Sequence, residues 1–337
     1  MNEDIRTRYR NRLLATIAAI LSVAALRASY PVTMPVLFAA VILAAIWPLK
    51  LFFDRWLPSW LSYVLAILVL LAVFVTFTAA VYLSIGQIWA VIASRWNELQ
   101  EAYQSVARHA ARLGVPLDGA LDQRRVAGLA EMMAGSLYSF VTYLGFIAIL
   151  VTLGLPEVPH LRARLGDELG RRAQNQLVEV LSESSRQVRS YLGTTFFTSV
   201  LTGLASTLFS LAVGLDLALV WGMLNFLLNF VPVIGNIIGI VPPVLYAVLQ
   251  FDGLTMPIVV LAGFVVLQIT ISNFVYPLLQ GRQLSMSPVA IIVAMAFWSW
   301  MWGIAGALIA VPLTATLVIL CRHFESTHWI ATLISKE

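Results

Sequence analysis

Charge is what this sequence is short of. Only 11% of its 337 residues are Asp, Glu, Lys or Arg and 60% are hydrophobic, whereas a soluble domain averages roughly 25% charged and 45–50% apolar. A chain this long and this apolar does not have water as its main solvent. Cysteine is scarcer still: Cys321 stands alone, which excludes an intramolecular disulfide. Four scattered histidines show no metal-ligand spacing, so neither a metal nor another cofactor is expected. The net charge of +4 comes from arginines placed at the ends of apolar runs rather than gathered on a basic face. That argues for lipid headgroups and against nucleic acid as the partner. An intramembrane enzyme would need a nucleophile, base or metal set within the helices. No histidine lies mid-run and Cys321 ends the last one, so the sequence points away from catalysis.

What is present is a succession of apolar runs. Each membrane crossing needs about 20 such residues, because a helix in lipid must satisfy its own backbone polar groups. Residues 13–28 and 32–49, separated by Ser29, Tyr30 and Pro31, read as a tight hairpin, with Arg27 snorkelling to the interface. The charged start at 1–12 followed by an apolar run is expected to be an uncleaved first helix. The uncharged run 61–92 is longer than one crossing and should leave the bilayer near Gly86 and Gln87. Residues 93–131 form a soluble insert in which five arginines balance five acids; Leu99, Tyr103, Val106, Ala110 and Leu113 recur there at helical spacing. The run 132–155 crosses again. The charge-dense stretch after it carries Leu161, Leu165, Leu169, Ala173 and Leu177 every four residues, an amphipathic helix over 157–190. The run 191–215 is the fifth crossing.

Orientation follows from short-loop lysine and arginine. Arg6, Arg8, Arg10 and Arg12, then Lys50 and Arg55, then six arginines between the fourth and fifth crossings alternate onto one side. That side is expected to be the cytoplasm, leaving the insert outside.

The last third is different. Residues 217–250 are apolar but interrupted by Asn229, Pro232, Gly235, Asn236, Gly239, Pro242 and Pro243, and residues 286–321 contain Gly303, Gly306 and Pro312. Both runs are either hairpins that enter and return or single kinked crossings. The positive-inside bias of Arg282 and Arg322 and the disruption of helices by proline favour hairpins. Broken backbone at membrane depth is tolerated only where protein buries it or where it lines a polar cavity. The cluster around Asn225 and Asn229 is therefore the leading candidate for a solute path, against the plainer reading of proline kinks satisfied by neighbouring helices. Gln268 and Asn273 in the following run are either interhelical glue or ligands for hydroxyl groups. Thr194, Thr198, Thr202 and Ser206 share one helix face, which serves either close helix packing or a polar wall. Arg282 reads as a topology charge or a gate. Trp298, Trp300 and Trp302 crowd Gly303, marking a hairpin tip or a closed gate, with packing the favoured role.

The run Asn229-Phe-Val-Pro232-Val-Ile-Gly235-Asn-Ile-Ile-Gly239-Ile-Val-Pro242-Pro243 resembles the signature loop of the autoinducer-2 exporter family of permeases. Asn273 to Pro277, Gly281-Arg282-Gln-Leu284-Ser-Met-Ser-Pro288 and Trp302-Gly303-Ile-Ala-Gly306-Ala-Leu-Ile-Ala-Val-Pro312 follow its pattern in order. Trp47-Pro48 departs from it, since the family often has asparagine before that proline; only a local helix end is affected. The resemblance implies eight membrane segments, cytoplasmic termini and a homo-oligomer, in the form of a pentamer. Some relatives look like sodium/proton antiporters, yet coupling of that kind usually uses an ionisable group within the membrane. The acids here lie in loops or at segment ends, as Asp216 and Asp252 do.

The expectation is thus an all-α polytopic protein of the bacterial inner membrane with about eight membrane segments, its N-terminus cytoplasmic. Residues 1–92 hold a helical scaffold, 93–131 the outer insert, 132–156 the fourth helix, 157–190 the cytoplasmic helix, 191–322 the broken region with the path, and 323–337 a tail. Its expected work is moving a small polar solute, autoinducer-2 by resemblance, through alternating access. A sodium/proton antiporter, a channel and a non-transporting assembly protein are the alternatives.

Overall fold

Leucine outside and serine inside is the pattern that organises this structure, a computed structural model. It describes every residue except 1, 99, 102–103, 105–122, 169–170, 232–233, 281–285, 324–326 and 335–337. Leu68, Val75, Leu153 and Leu208 are 54–69% exposed, while Ser62, Thr198, Thr202 and Ser206 are 0% exposed. Water would reverse that distribution; hydrocarbon on the outside of a bundle produces it.

The described residues form helices and no strand. They are α1 (Asn2–Ala28), α2 (Tyr30–Phe53), α3 (Ser59–Ser94), α4 (Gln123–Glu168), α5 (Arg171–Ala212), α6 (Ala218–Leu228), α7 (Ile234–Gln250) and α8 (Thr255–Thr270). A π turn (Ile271–Val275) then leads into α9 (Tyr276–Gln280), α10 (Pro288–His323) and α11 (His328–Ile334). Six helices are long and apolar enough to cross a membrane: Tyr30–Phe53, Ser59–Gln87, Val141–Leu161, Val178–Ala212, Thr255–Leu279 and Val289–His323. The expected count of about eight is not reached by that measure, since α6, α7 and the apolar stretch Thr16–Ala28 are each shorter.

α4 runs straight through the expected boundary at 156–157, with Pro156 and Pro159 inside it, and its 46 residues span about 69 Å. The charged stretch is therefore shared between the end of α4 and the start of α5. The stripe of Leu99, Tyr103, Val106, Ala110 and Leu113 lies outside the described residues.

The expected hairpin between the first two runs is not found. Ser29 N donates to Ala25 O and Thr33 N donates to Ser29 O, at 2.8 and 2.9 Å, so helix-type bonds carry the chain through the junction as a bend. Leu13, Leu14, Ile20 and Leu21 stay exposed instead of packing back on α2. Pro31 looked like a turn residue; it sits in the first turn of α2, where a missing N–H costs nothing.

Three apolar clusters hold the bundle. Ala39 and Ile46 of α2, Ala66 and Leu70 of α3, and Ile147, Val151 and Leu155 of α4 make the front scaffold. Met34 packs with Ala294, Met295, Trp298, Met301, Trp302, Ile309 and Ala310 of α10. Leu215, Trp221, Tyr246, Ala247, Val260 and Phe264 join α6, α7 and α8.

Both long broken runs fold back on themselves. In the first, Leu228 O lies where a Cβ on Gly235 would sit, Asn225 bonds Gly239, Trp221 stacks on Tyr246 with centroids 5.5 Å apart, and Gln250 bonds Asp216. Partners step forward on α6 as they step backward on α7, the signature of an antiparallel helical hairpin. In the second, Trp298 Nε1 donates to Thr314 Oγ1 at 2.9 Å. Sixteen residues of unbroken helix would hold those positions about 24 Å apart, so α10 reverses between them. The turn is Trp302 (φ −132, ψ 19) and Gly303 (φ 61, ψ −143), the latter a conformation glycine alone adopts without strain. Pro312, expected as an interruption, lies within the returning arm.

Candidate functional site

The prolines of α7 create the first polar requirement. Pro243 has no N–H, so the carbonyl of Gly239 four residues earlier receives no donor from its own helix. Asn225 Nδ2 supplies it from α6 at 3.1 Å and also donates to Trp221 O at 2.9 Å. Only glycine allows this approach, because a Cβ at position 239 would lie 2.4 Å from Asn225 Oδ1.

With Nδ2 committed to two carbonyls, the orientation of the Asn225 amide is fixed and its Oδ1 must accept. Gln268 Nε2 on α8 donates to it at 2.8 Å. That in turn fixes Gln268, whose Oε1 is buried without a donor. One missing backbone hydrogen on α7 thus propagates, through two amides, into an acceptor oxygen left free on α8.

Gln268 lines a cavity of about 420 Å³. Around it stand Thr195 of α5, Asn229 from the break, Asn236, Ile237 and Ile240 of α7, Val265 and Ile269 of α8, Ile271, Ser272 and Asn273 of the π turn, and Tyr276 of α9. Asn229 Nδ2 donates to Ser199 Oγ at 2.9 Å and, more weakly, to Thr198 Oγ1 at 3.4 Å. Asn236 Nδ2 donates to Ser272 Oγ at 2.8 Å, and Asn236 Oδ1 has no donor. Thr195 Oγ1 lies within reach of the hydroxyls of Tyr191 and Tyr276. The cavity is mostly apolar in its walls, with a few amide and hydroxyl side chains among them, the composition of a small-molecule site.

The π turn explains how so much of one helix reaches the cavity. Pro277 cannot donate to Asn273 O, and Tyr276 N bonds Ile271 O instead, five residues back. The extra residue per turn rotates Ser272, Asn273 and Tyr276 onto the face already carrying Gln268, as π turns often do at functional sites.

Of the residues singled out from sequence, Asn229, Asn236, Gln268 and Asn273 meet at this cavity, with Asn225, Gly235, Gly239 and Pro243 building the hairpin behind it. Pro242 lies in α7 beside Pro243. Thr194, Thr202 and Ser206 are buried but do not line the cavity. Thr198 and Thr202 donate to the carbonyls four residues back, at 2.9 and 2.8 Å. Beside them Gly203 and Gly222 bring α5 and α6 into backbone contact, the close helix approach that small residues permit. Gly303, Gly306 and Pro312 shape the α10 hairpin, away from the cavity. Trp298 and Trp302 pack at its tip with centroids 4.9 Å apart, while Trp300 is exposed. Pro232 and Arg282 lie outside the described residues. Ser272 and Tyr276 were missed; the pairing of Asn273 with a proline four residues on was their signal. No group of three or more His, Cys, Asp or Glu that could hold a metal occurs among the described residues.

A family model described as AI-2E family transporter matches residues 14–326. The AI-2 transport protein TqsA of Escherichia coli strain K12 is 24% identical over 316 residues, covering 92% of this chain and 91% of TqsA. A Haemophilus influenzae protein provisionally named as a transport protein is 25% identical over 334 residues, covering 96% of this chain and 95% of that one. A sodium-lithium/proton antiporter of Halobacillus andaensis is 24% identical over 186 residues, covering 55% and 51%.

Proposed function

The chain belongs to the AI-2E transporter family, and on that premise we propose that it carries a small, uncharged, hydroxyl-bearing solute across the bacterial inner membrane through the cavity beside the α6–α7 hairpin. The single observation behind this reading is that two residues whose amide oxygens are buried without a donor, Gln268 and Asn236, line one apolar-walled cavity. Oxygens without donors favour a ligand that brings hydrogens. They repel carboxylates and phosphates, and the lining residues include no cation to offset that. Autoinducer-2 export is the specific form of the proposal, suggested by the name of TqsA.

The two helical hairpins are read as re-entrant; α10 is already one of the six long helices, so those six with the α6–α7 hairpin and α1 give about eight membrane segments. Alternating access then moves the broken region against the α2–α3–α4 scaffold. Lys50, Arg55 and the arginines of 162–189 face the cytoplasm, and the protein works as a homo-oligomer, a pentamer in the form taken from the family resemblance.

A second reading is supported by the same oxygens. Amide and hydroxyl oxygens also ligate sodium, and one relative is named an antiporter. Against proton exchange stands a lining without carboxylate or histidine.

Flux by the purified protein in liposomes separates the two, using autoinducer-2 with and without sodium and pH gradients. Gln268→Leu and Asn236→Leu each remove an acceptor and should lower solute flux about tenfold, the effect of one hydrogen bond of about 1.4 kcal/mol. Unchanged flux in both folded variants removes the cavity from the path. Sodium movement without solute movement establishes the second reading.

A further inference from the structure

A larger cavity, of about 570 Å³, lies between α1 and the turn of α10, apart from the polar one. Two adjacent rows of α1 form its floor, Ala19, Val23 and Arg27 beside Ile20, Ala24 and Ala28, and Trp300 forms its wall. Small side chains at four-residue spacing leave a trough along the helix. From position 19 to 28 it runs about 14 Å, close to the depth of hydrocarbon in one leaflet, about 15 Å.

One end of the trough is charged. The Arg27 guanidinium carbon lies 4.2 Å from the centre of the Trp300 ring. A guanidinium held over a ring still has N–H donors that can take two oxygens of a phosphate at once, and Arg27 is exposed. Among the described residues no carboxylate forms an ion pair with it. Tryptophan and arginine together are what a helix places at headgroup level. An apolar trough of leaflet depth that ends in an unpaired cation at the interface has the shape and charge of one ligand.

We infer that this trough binds a single anionic phospholipid, its phosphate on the edge of Arg27 and one acyl chain along Ala24 towards Ala19. The lipid bridges α1, which otherwise packs little, to the tip of α10, where Trp302 Nε1 also reaches Leu26 O at 3.4 Å.

The test uses the full-length protein in a mild detergent, with retained lipids counted by native mass spectrometry. Phosphatidylglycerol and phosphatidylcholine of matched chains are supplied in turn. Wild type retains phosphatidylglycerol in preference. Arg27→Gln weakens that retention about fivefold, the contribution of one basic side chain at an anionic lipid surface; Arg27→Lys keeps most of the preference. Ala24→Phe fills the trough and reduces both lipids. Both positions are exposed in the chain, so the bundle stays intact. Equal retention of the two lipids by wild type, or full retention by Arg27→Gln, overturns the assignment. So does displacement of the lipid by an equal concentration of glycerol phosphate, which has no chain. An Ala24→Phe variant that keeps its lipid but changes the number of subunits makes the trough a contact between copies, and overturns it as well.

Discussion

Replacing Asn225 by alanine tests whether the carbonyl orphaned by Pro243 is what that side chain is for. The substitution removes two contacts between helices, Nδ2 to Gly239 O at 3.1 Å and Gln268 Nε2 to Oδ1 at 2.8 Å. In water, leaving two buried groups unpaired would cost about 2–6 kcal/mol. Within a membrane the unfolded helices also find partners, and each interhelical bond is worth about 0.6–1.7 kcal/mol. The lower scale governs here, giving about 1–3 kcal/mol for the pair, plus a cavity term. Pro243→Ala returns an N–H that Gly239 O can accept from its own helix. In that background Asn225→Ala leaves only Gln268 without its partner, while the cavity term is the same in both arms and cancels. A double-mutant cycle, read by equilibrium unfolding in mixed micelles, should therefore show a coupling of about 1 kcal/mol, above the 0.3–0.5 kcal/mol within which independent sites add. If Asn225→Ala costs the same with and without Pro243, the carbonyl was satisfied some other way and the chain of inference from Pro243 to Gln268 Oε1 fails.

Gly303→Ala should cost about 1–3 kcal/mol by the same measurement, purely as backbone strain, because nothing lies within 4 Å of where its Cβ would sit. Gly306→Ala acts by collision instead, its Cβ falling 1.9 Å from Trp298 O, so Trp298 fluorescence should shift in this variant more than in Gly303→Ala. The loop after α2 should be acid-sensitive. The hydrogen bond from Lys50 holds the Asp54 carboxyl below the usual carboxylate range, so its contribution is complete above the unfolded value of about 3.9 and is lost as pH falls through the lower folded one. Asp54→Asn should flatten the stability profile below pH 4; an unaltered acid limb would show that the pair contributes nothing there.

Composition and run lengths made the membrane class readable, because 60% hydrophobic residues leave few alternatives. The amides were readable for a related reason: Asn225, Asn229, Asn236, Gln268 and Asn273 stand out against hydrocarbon, where each needs a partner. The positions of the breaks were not. Prolines 242, 243 and 312 drew attention as helix breakers, yet α7 and the returning arm of α10 continue through them. The missing bond at Pro243 is repaired by a side chain 18 residues earlier, a fact held in tertiary structure. The actual turn of α10 rests on Gly303, which in the sequence looks no different from Gly306 three residues on. The α1–α2 junction misled for the opposite reason, since Ser-Tyr-Pro is as good an N-terminal helical turn as it is a loop. Of the hydroxyls at positions 194, 198, 202 and 206, those of Thr198 and Thr202 bond carbonyls of their own helix, a pairing that the four-residue spacing does not reveal.

Gln250 gives the broken region a property that neither arm has by itself. Its carboxamide donates to Gly214 O at 2.6 Å and accepts from Asp216 N at 2.8 Å, clasping the two ends of the α6–α7 hairpin. The segment is thereby a closed ring of chain and not a free arm. The two arms are held at both ends, at the bend by their backbone contact and at the base by one side chain.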